Sequence, residues 1–503
     1  MSRIQATVGP TVGTFSGHGL IWMAVLAATA AALGLWQLGS QPLWFDESLS
    51  ARAATLPLST IVSIVQVDPF NSLYYPVLHV WQIAGGSETW LRSLSVICGV
   101  ATILTLFAFQ VRLFNLRVAV LSCALLIVNL FFLRYMQEAR SYSLALFLVV
   151  AASWCFVGTL DRPSTGRWVA YAVTSALAIH AHAFTAFVIA SHAVSLFFRP
   201  GRPALGAAGS YLLVAALVAP LVGSVLAADP LQRSFVPLPT LDSIKSVFLH
   251  LTGGGGVPSR NAHVLVLLYF VACCGALIAM AREYRRRGTS PQRWSNTFVL
   301  LWFGVPLLTT FLLSFANPMF YPRYLIFVLP AMVTIAGIGI SSLPSRPLRV
   351  LAVGAFAALS VSPLRSYYGT SVREGGDWRA ATAYIAREDQ AGDDIVFLSR
   401  YGRGPFEYYR AKSPADVAVA PLYPRHPWGA TALMGGYRDV EPTATAAERL
   451  RQARRVWTFL VWGGFDSKAE DATPIRQVLE DEFTLVTRQW FGPSLEVRLY
   501  ARD

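Results

Sequence analysis

Charged residues are scarce in this sequence, and lysine is nearly absent. Only 14% of the 503 residues are Asp, Glu, Lys or Arg, whereas 54% are hydrophobic. A soluble domain usually contains about 25% charged residues, so most of this chain is not an ordinary water-soluble protein. Only 3 of the 41 basic residues are lysine, and the basic excess of 13 is spread over short loops between apolar runs. That distribution indicates membrane topology and not nucleic-acid binding.

The sequence also lacks signs of thiol chemistry, of nucleotide binding and of a transporter. All five cysteines fall inside apolar segments, where a thiol behaves as a small hydrophobic group, so the sequence indicates no disulfide or thiol chemistry. The glycine run 253–256 is not followed by Lys and Ser or Thr, which indicates a flexible hinge and not a phosphate-binding loop. Glycine-interrupted spans in matching halves, a mark of secondary transporters, are missing too. An ATP-driven pump and a cytoplasmic nucleotide-sugar site are therefore disfavoured.

The sequence does contain a series of apolar runs that suit the length of a membrane-spanning helix. We predict about eleven transmembrane helices, of which the two within 168–198 are short. The first is predicted to be a retained signal anchor, because no obvious small-residue cleavage site is present. The predicted spans are 19–38, 93–111, 118–133, 141–160, 168–183, 184–198, 204–227, 263–281, 297–315, 324–341 and 348–363.

The loops between these runs fall into two sets that differ in charge. One set is rich in arginine, and the positive-inside rule places it in the cytoplasm together with the N-terminus. The other set has mixed charges and is predicted to be extracytoplasmic. It includes a large loop, 49–92, with two short helices and the aromatic residues Tyr74, Tyr75, Trp81 and Trp90 at the membrane interface.

Near residue 364 the composition changes to one typical of a soluble domain. We predict a membrane domain over 1–363 and an extracytoplasmic α/β domain over 364–503. The predicted helices of the second domain are 377–388 and 444–454, and the predicted strands are 394–398, 455–461, 483–489 and 495–500.

Polar residues suited to chemistry lie in the predicted extracytoplasmic loops. Asp46 and Glu47 directly follow the first span and are flanked by Trp44 and Phe45. A carboxylate held in such a place suits a general base. The alternative is a purely structural role, in which Asp46 or Ser48 begins the next helix as its cap.

A second cluster is the segment 134–142 (RYMQEARSY), which contains Glu138, Arg140 and Tyr142. The planar guanidinium of arginine suits a phosphate group. The alternative is a basic membrane anchor in which Glu138 neutralises Arg134, four residues before it.

Two further candidates come from later loops. Arg323, in the segment NPMFYPRY, is suited either to a lipid phosphate or to lipid headgroups at the membrane surface. His180 and His182 are two residues apart, so a helix would not place both on one face. We predict no metal site there, and only a polar contact between His182 and a substrate.

In their order along the chain, these segments resemble the GT-C membrane glycosyltransferases, and in particular glycosyltransferase families 39 and 83. These families include the protein O-mannosyltransferases and the lipid A aminoarabinose transferase. The resemblance covers about residues 20–342. It rests on the Asp46–Glu47 pair, the segment DPFNSLYYPVLHVW leading to Arg92, and the segments QEARSY, HAHAF and PRY.

The resemblance implies an inverting enzyme of the bacterial inner membrane that takes a sugar from a polyprenyl-phosphate carrier. The acceptor would be an extracytoplasmic envelope glycan, a glycolipid or a protein. Asp46 matches the family's general base or acceptor-orienting group, Glu47 is the second catalytic candidate, and Arg140 and Arg323 would bind the lipid phosphate. The residues that would contact sugar or acceptor are Tyr142, His182, Glu138 and Arg92. No cofactor or metal is expected, and the partners are the donor, the acceptor and membrane lipids, with no nucleic acid.

Two other functions stay open at this point. One is a flippase or transporter of lipid-linked sugars, and the other is a non-catalytic protein of envelope assembly. A transporter should bury charges in the middle of its spans, and the sequence has almost none there. In a non-catalytic protein, Asp46→Asn would leave function unchanged.

Overall fold

A computed structural model describes the chain over residues 17–67, 69–199, 204–227, 236–257, 260–285, 291–370, 376–399, 402–413, 417–425, 442–461 and 472–502. The predicted cytoplasmic N-terminus and Asp68 lie outside these ranges. Two compact units form within the described residues. Of the described residues, unit one takes those within 17–36, 93–223 and 236–367, and unit two takes those within 37–92, 224–227 and 368–502.

Helices dominate the first 369 residues. In chain order they are α1 (Gly17–Leu35), α2 (Phe45–Ala54), α3 (Leu58–Val67), α4 (Tyr74–Gln82), α5 (Glu88–Leu113), α6 (Leu116–Ile127), α7 (Leu130–Met136), α8 (Tyr142–Asp161), α9 (Thr165–Ala181), α10 (Thr185–Ser195), α11 (Ala204–Ala227), α12 (Leu241–Leu251), α13 (Ala262–Arg285), α14 (Pro291–Leu313), α15 (Leu329–Ser341) and α16 (Arg346–Gly369). Short 3-10 helices cover Pro69–Asn71, Leu196–Phe198 and Pro322–Val328.

The predicted polytopic helical fold is confirmed. Eight helices of the described residues are long and apolar enough to cross a membrane, or nine if a bent pair is counted as one span. Each of the eleven predicted runs falls on a helix, but α9 has 17 residues and the α10 region is shorter. The number of eleven crossings therefore stays a prediction.

The run predicted as one span over 118–133 is broken. Helix α6 ends, α7 begins three residues later, and their directions differ by 68°. Asn129 explains the break, because its side-chain oxygen accepts the backbone N–H of Phe132 at 3.2 Å and its amide nitrogen donates to the carbonyl of Leu251 at 2.8 Å. An Asn that caps a new helix ends the previous one and redirects the chain.

Helix α15 forms the core of unit one, and its residues from Leu329 to Ile340 are all buried. Gly339 permits close packing on α13, since a Cβ at this position would lie only 1.8 Å from the carbonyl oxygen of Ala272. Gln110 of α5 donates a 2.6 Å hydrogen bond to Thr334 of α15. Small residues and interhelical hydrogen bonds of this kind hold apolar helices together where lipid replaces water.

The first part of unit two differs from the predicted loop. Three α-helices form there instead of two, and Tyr74 and Tyr75 are buried instead of facing the membrane interface. Trp81 and Trp90 stack with ring centres 5.0 Å apart, and each indole N–H donates to the other residue's carbonyl at 2.9 Å. This pair fixes the end of α4 against the start of α5.

The C-terminal part of unit two is a mixed sheet with helices, which confirms the predicted α/β region. Its elements are α17 (Trp378–Glu388), β1 (Asp394–Phe397), α18 (Arg403–Arg410), β2 (Ala420–Tyr423), α19 (Thr443–Leu450), β3 (Arg455–Val461), α20 (Thr473–Glu482), β4 (Thr484–Trp490) and β5 (Leu495–Ala501). The strand order is β2-β1-β3-β5-β4, with β1 parallel to β2 and β3, and β5 antiparallel to β3 and β4. The sequence did not predict α18, β2 and α20.

Candidate active site

The predicted site residues fall into two sets. Unit two holds the carboxylates Asp46 and Glu47 with Arg92. Unit one holds the other five, which are Glu138, Arg140, Tyr142, His182 and Arg323.

Asp46 and Glu47 lie in the first turn of α2, where the helix macrodipole stabilises negative charge. Trp44 is the residue that caps this helix, and its backbone N–H donates to the Glu47 carboxylate at 3.4 Å. Glu47 is fully buried, whereas Asp46 is half-buried. The two neighbouring carboxylates thus occupy different environments.

Arg92 binds the segment that leads to Asp46. Its Nε and Nη2 donate to the two oxygens of Glu47 at 2.7 and 2.6 Å. Its Nη1 donates to the carbonyls of Leu38 and Gln41 at 3.0 and 2.7 Å, and Nη2 donates also to the carbonyl of Pro42 at 3.0 Å. A guanidinium has five N–H donors, so all the donors of Arg92 are used within the protein.

Two side chains from the C-terminal part of unit two support the segment that leads to Asp46. The hydroxyl of Tyr409, on α18, accepts the backbone N–H of Leu43 at 2.6 Å and donates to Glu88 at 2.9 Å. Arg379, on α17, forms an ion pair with the same Glu88. Burial, followed by the nearby charge of Glu88, raises the pKa of Tyr409 well above its ordinary value. The phenol therefore keeps the proton that it donates.

The second set begins in the segment between α7 and α8. Arg134 donates to Glu138 at 3.0 Å, so the pairing considered as the structural alternative is present. The carbonyl of Glu138 accepts a 2.6 Å hydrogen bond from Ser95, and Gln137 donates to the carbonyl of Trp36 at 2.7 Å. These contacts attach the backbone directly before Arg140 to α5 and to the residue that follows α1.

His182 is the centre of this second set. It is buried at the turn between α9 and α10, and its ring centre lies 5.3 Å from that of Tyr142. Its ring centre lies 5.8 Å from that of Tyr324, over which the Arg323 guanidinium lies, and Arg140 is two residues before Tyr142. Its Nδ1 accepts the backbone N–H of Phe184 at 3.4 Å, which leaves the proton of a neutral ring on Nε2. The structure thus brings four predicted residues together.

Arg323 opens the 3-10 helix Pro322–Val328. Its guanidinium carbon lies 5.4 Å from the ring centres of both Tyr321 and Tyr324, a distance typical of cation–π contact. Ser141, next to Arg140, is buried, and its hydroxyl has no hydrogen-bond partner in the part of the chain that the structure describes. No signal in the sequence marks Ser141 as a site residue.

His180 does not join this cluster. Its Nε2 lies 3.1 Å from the carbonyl of Leu217, on α11. Across the described ranges, no group of three His, Cys, Asp or Glu side chains has an arrangement that could hold a metal ion.

The glycine run 253–256 is a packed helix end, which corrects the predicted flexible hinge. The backbone N–H groups of Gly254 and Gly255 both donate to the carbonyl of Leu249 at 2.9 Å. A Cβ on Gly255 would lie 2.6 Å from His250. Gly256 has a φ of +84° and would place a Cβ 3.1 Å from Arg134, so the run packs beside the segment that carries Arg140.

Comparisons with known proteins agree with this architecture. Residues 74–227 match the family model described as dolichyl-phosphate-mannose-protein mannosyltransferase. The structure is similar to that of ArnT from Cupriavidus metallidurans bound to undecaprenyl phosphate, with a TM-score of 0.61 and 14% identity, covering 96% of this chain and 98% of that chain. The apo state of the same protein gives a TM-score of 0.60 at 13% identity over the same shares.

A third similar structure is the Archaeoglobus fulgidus oligosaccharyltransferase tethered with an acceptor peptide. Its TM-score is 0.51 at 12% identity, covering 97% of this chain and 74% of that chain. A comparison with curated proteins gives no match. The chain is therefore a multi-pass membrane protein of the GT-C fold, and the predicted resemblance to the membrane glycosyltransferases that use polyprenyl-phosphate sugars is confirmed.

Proposed function

We propose that the protein is an inverting glycosyltransferase of the bacterial inner membrane that transfers a sugar from a polyprenyl-phosphate carrier to an extracytoplasmic acceptor. The observation that carries this proposal is the cluster around the buried His182, which brings Arg140 and Arg323 into one region. The His182 ring centre lies 5.3 Å from that of Tyr142, two residues after Arg140, and 5.8 Å from that of Tyr324, over which the Arg323 guanidinium lies. Two guanidinium groups near one buried ring suit a phosphate ligand. The similar ArnT was solved with undecaprenyl phosphate, and the similar oligosaccharyltransferase with an acceptor peptide.

In the proposed reaction, an acceptor hydroxyl attacks the anomeric carbon of the sugar, and the bond from that carbon to the phosphate oxygen breaks. Asp46 accepts the hydroxyl proton as general base. Arg140 and Arg323 neutralise the polyprenyl phosphate that leaves. Attack from the face opposite the phosphate inverts the anomeric centre. His182 and Tyr142 contact the sugar-phosphate group, with Nε2–H of His182 as a donor. The acceptor is an envelope glycan, a glycolipid or a protein.

Glu47, Arg92 and Glu138 are assigned positioning roles in this proposal. Glu47 and Arg92 form a buried bidentate pair, and every donor of Arg92 is used within the protein. A side chain without a remaining donor is poorly suited to bind a sugar hydroxyl. Glu138 is held by Arg134 and fixes the segment of Arg140.

A flippase or transporter has less support. Among the described residues before 370, the buried Asp, Glu, Lys and Arg side chains are Glu47, Arg92 and Glu138, and each lies near a helix end or in a loop. Transporters place such charges near the middle of the bilayer.

The direct test uses the purified full chain in lipid, a panel of radiolabelled polyprenyl-phosphate sugars and a crude envelope acceptor. Transfer from one donor, with the opposite anomeric configuration in the product, is expected. Binding of a donor without transfer or hydrolysis of any sugar would contradict the proposal and favour a non-catalytic or transport function.

Arg323→Gln is expected to raise KM for the donor by about tenfold or more, because a hydrogen bond to a charged group contributes roughly 1.5–3 kcal/mol. We also expect kcat to fall, since the leaving phosphate loses a counter-charge. Kinetics with the active donor measure both constants. Arg282→Gln, an exposed arginine in the last turn of α13, is the control. Unchanged constants in the Arg323 variant would contradict phosphate binding.

Tyr409→Phe is expected to lower kcat several-fold without changing KM for the donor. The variant loses the hydrogen bonds to Leu43 and Glu88, and about 1 kcal/mol of stability with each. The phenyl ring of the variant occupies the place of the Tyr409 ring, so the change in kcat reports on the position of the helix turn that carries Asp46. Tyr384→Phe is the matched control, because that hydroxyl makes a long contact of 3.5 Å to Thr487. If both variants keep wild-type kcat, α18 does not position Asp46.

A further inference from the structure

Unit one contains a cavity of about 650 Å³ that the proposed reaction does not use. It lies beside the early residues of α1, α6 and α16, and its charged lining consists of Arg117, Arg346 and Arg349. The other described residues that line it are the polar Asn115 and the apolar Trp22, Leu116, Val120 and Leu121, and none of the described lining residues is acidic. The cavity is therefore both cationic and apolar.

The three arginines lie at positions where the helix macrodipole disfavours a positive charge. Arg117 lies in the first turn of α6, and Arg346 and Arg349 lie in the first turn of α16, while neither first turn has an acidic residue. The start of a helix carries partial positive charge, so cations there are disfavoured. Arg349 donates to the carbonyl of Leu343 at 2.8 Å, which uses part of its capacity. The side chains of Arg117 and Arg346 are exposed.

We propose that this cavity binds the phosphate headgroup of an anionic phospholipid. The arginines supply charge for the phosphate, and the apolar wall at Trp22 and Leu121 supplies a surface for the first part of the acyl chains. A free phosphate ion would use only the first of these features. Basic pockets between membrane helices on the cytoplasmic side bind headgroups of this kind.

The expected sidedness is consistent with this ligand. Arg117, Arg346 and Arg349 belong to the arginine-rich loops that the positive-inside rule predicts to be cytoplasmic. The cytoplasmic leaflet has a negative surface potential. Arg140 follows α7, at the opposite end of the α6–α7 pair from Arg117, so this site is separate from the proposed phosphate site at Arg140 and Arg323.

The test is lipid binding to the full chain purified in neutral detergent, measured by native mass spectrometry during titration with phosphatidylglycerol. The double variant Arg117→Gln/Arg346→Gln is expected to weaken binding about fivefold for each charge removed. The matched control is Arg282→Gln/Arg285→Gln, which removes two exposed arginines from the end of α13. It is expected to bind phosphatidylglycerol like the wild type.

Two further probes separate the ligand sources. Phosphatidylcholine, which has a phosphate but no net charge, is expected to bind more weakly to the wild type and equally to all variants. Inorganic phosphate at the same concentration is expected not to displace phosphatidylglycerol. Displacement by inorganic phosphate would overturn the lipid assignment, and equal loss of phosphatidylglycerol binding in both double variants would overturn the site. Thermal unfolding without added lipid verifies that the variants are folded.

Discussion

Asp46→Asn is expected to abolish measurable transfer, with kcat reduced by about 10²–10⁴-fold, the contribution usually made by a positioned general base. Asn has nearly the same shape as Asp and remains compatible with the first turn of α2, but it cannot accept the acceptor's proton. Donor binding should persist, because the variant keeps the arginines assigned to the phosphate. The measurement combines single-turnover transfer with equilibrium binding of the labelled donor.

The control for this experiment is Asp242→Asn. Asp242 is also in the first turn of a helix, α12, but it is exposed and pairs with Lys245 at 2.9 Å. Its replacement removes one negative charge and one helix-start carboxylate, and transfer should stay at the wild-type rate. If Asp46→Asn transfers sugar as fast as Asp242→Asn, Asp46 is not the base and its position in α2 is purely structural.

The architecture was largely readable from the sequence, because apolar runs of spanning length and the change of composition near residue 364 are local signals. The break between α6 and α7 could not be predicted from the sequence. It depends on Asn129, whose amide binds the carbonyl of Leu251, more than a hundred residues later. A polar residue near the end of an apolar run carries no local sign that it will redirect the chain. The same applies to the packed glycine run after α12.

The candidate site was readable in one respect only. The segment 134–142 is dense in polar residues next to apolar spans, so its importance was visible, and the structure places its Tyr142 beside His182 and His182 beside Tyr324, the neighbour of Arg323. The structural role of Arg92 could not be predicted from the sequence. An isolated arginine at the start of a span suits a ligand or a structural pair equally well. Its role depends on Glu47 and three carbonyls that the fold places around it.

This network leads to the second large effect. Arg92→Ala is expected to lower the free energy of unfolding by about 3–5 kcal/mol, because it removes one member of a buried ion pair and takes the bidentate guanidinium away from the buried carboxylate of Glu47. Unfolding in mixed micelles measures this difference. The control is Arg112→Ala, which breaks the partly exposed 2.8 Å pair with Asp161 and should cost about 1 kcal/mol or less. Similar losses in the two variants would contradict a special role for Arg92.

The double variant Glu47→Leu/Arg92→Met separates stability from function. Replacing both members of a buried ion pair by apolar side chains often restores stability, so it should unfold at a higher free energy than Arg92→Ala. The recovery should be incomplete, because the carbonyls of Leu38 and Pro42 lose the hydrogen bonds that Arg92 donates to them. Transfer should stay low, since those carbonyls belong to the segment that carries Asp46. A double variant that regains wild-type kcat would show that the pair only stabilises the fold and does not position the base.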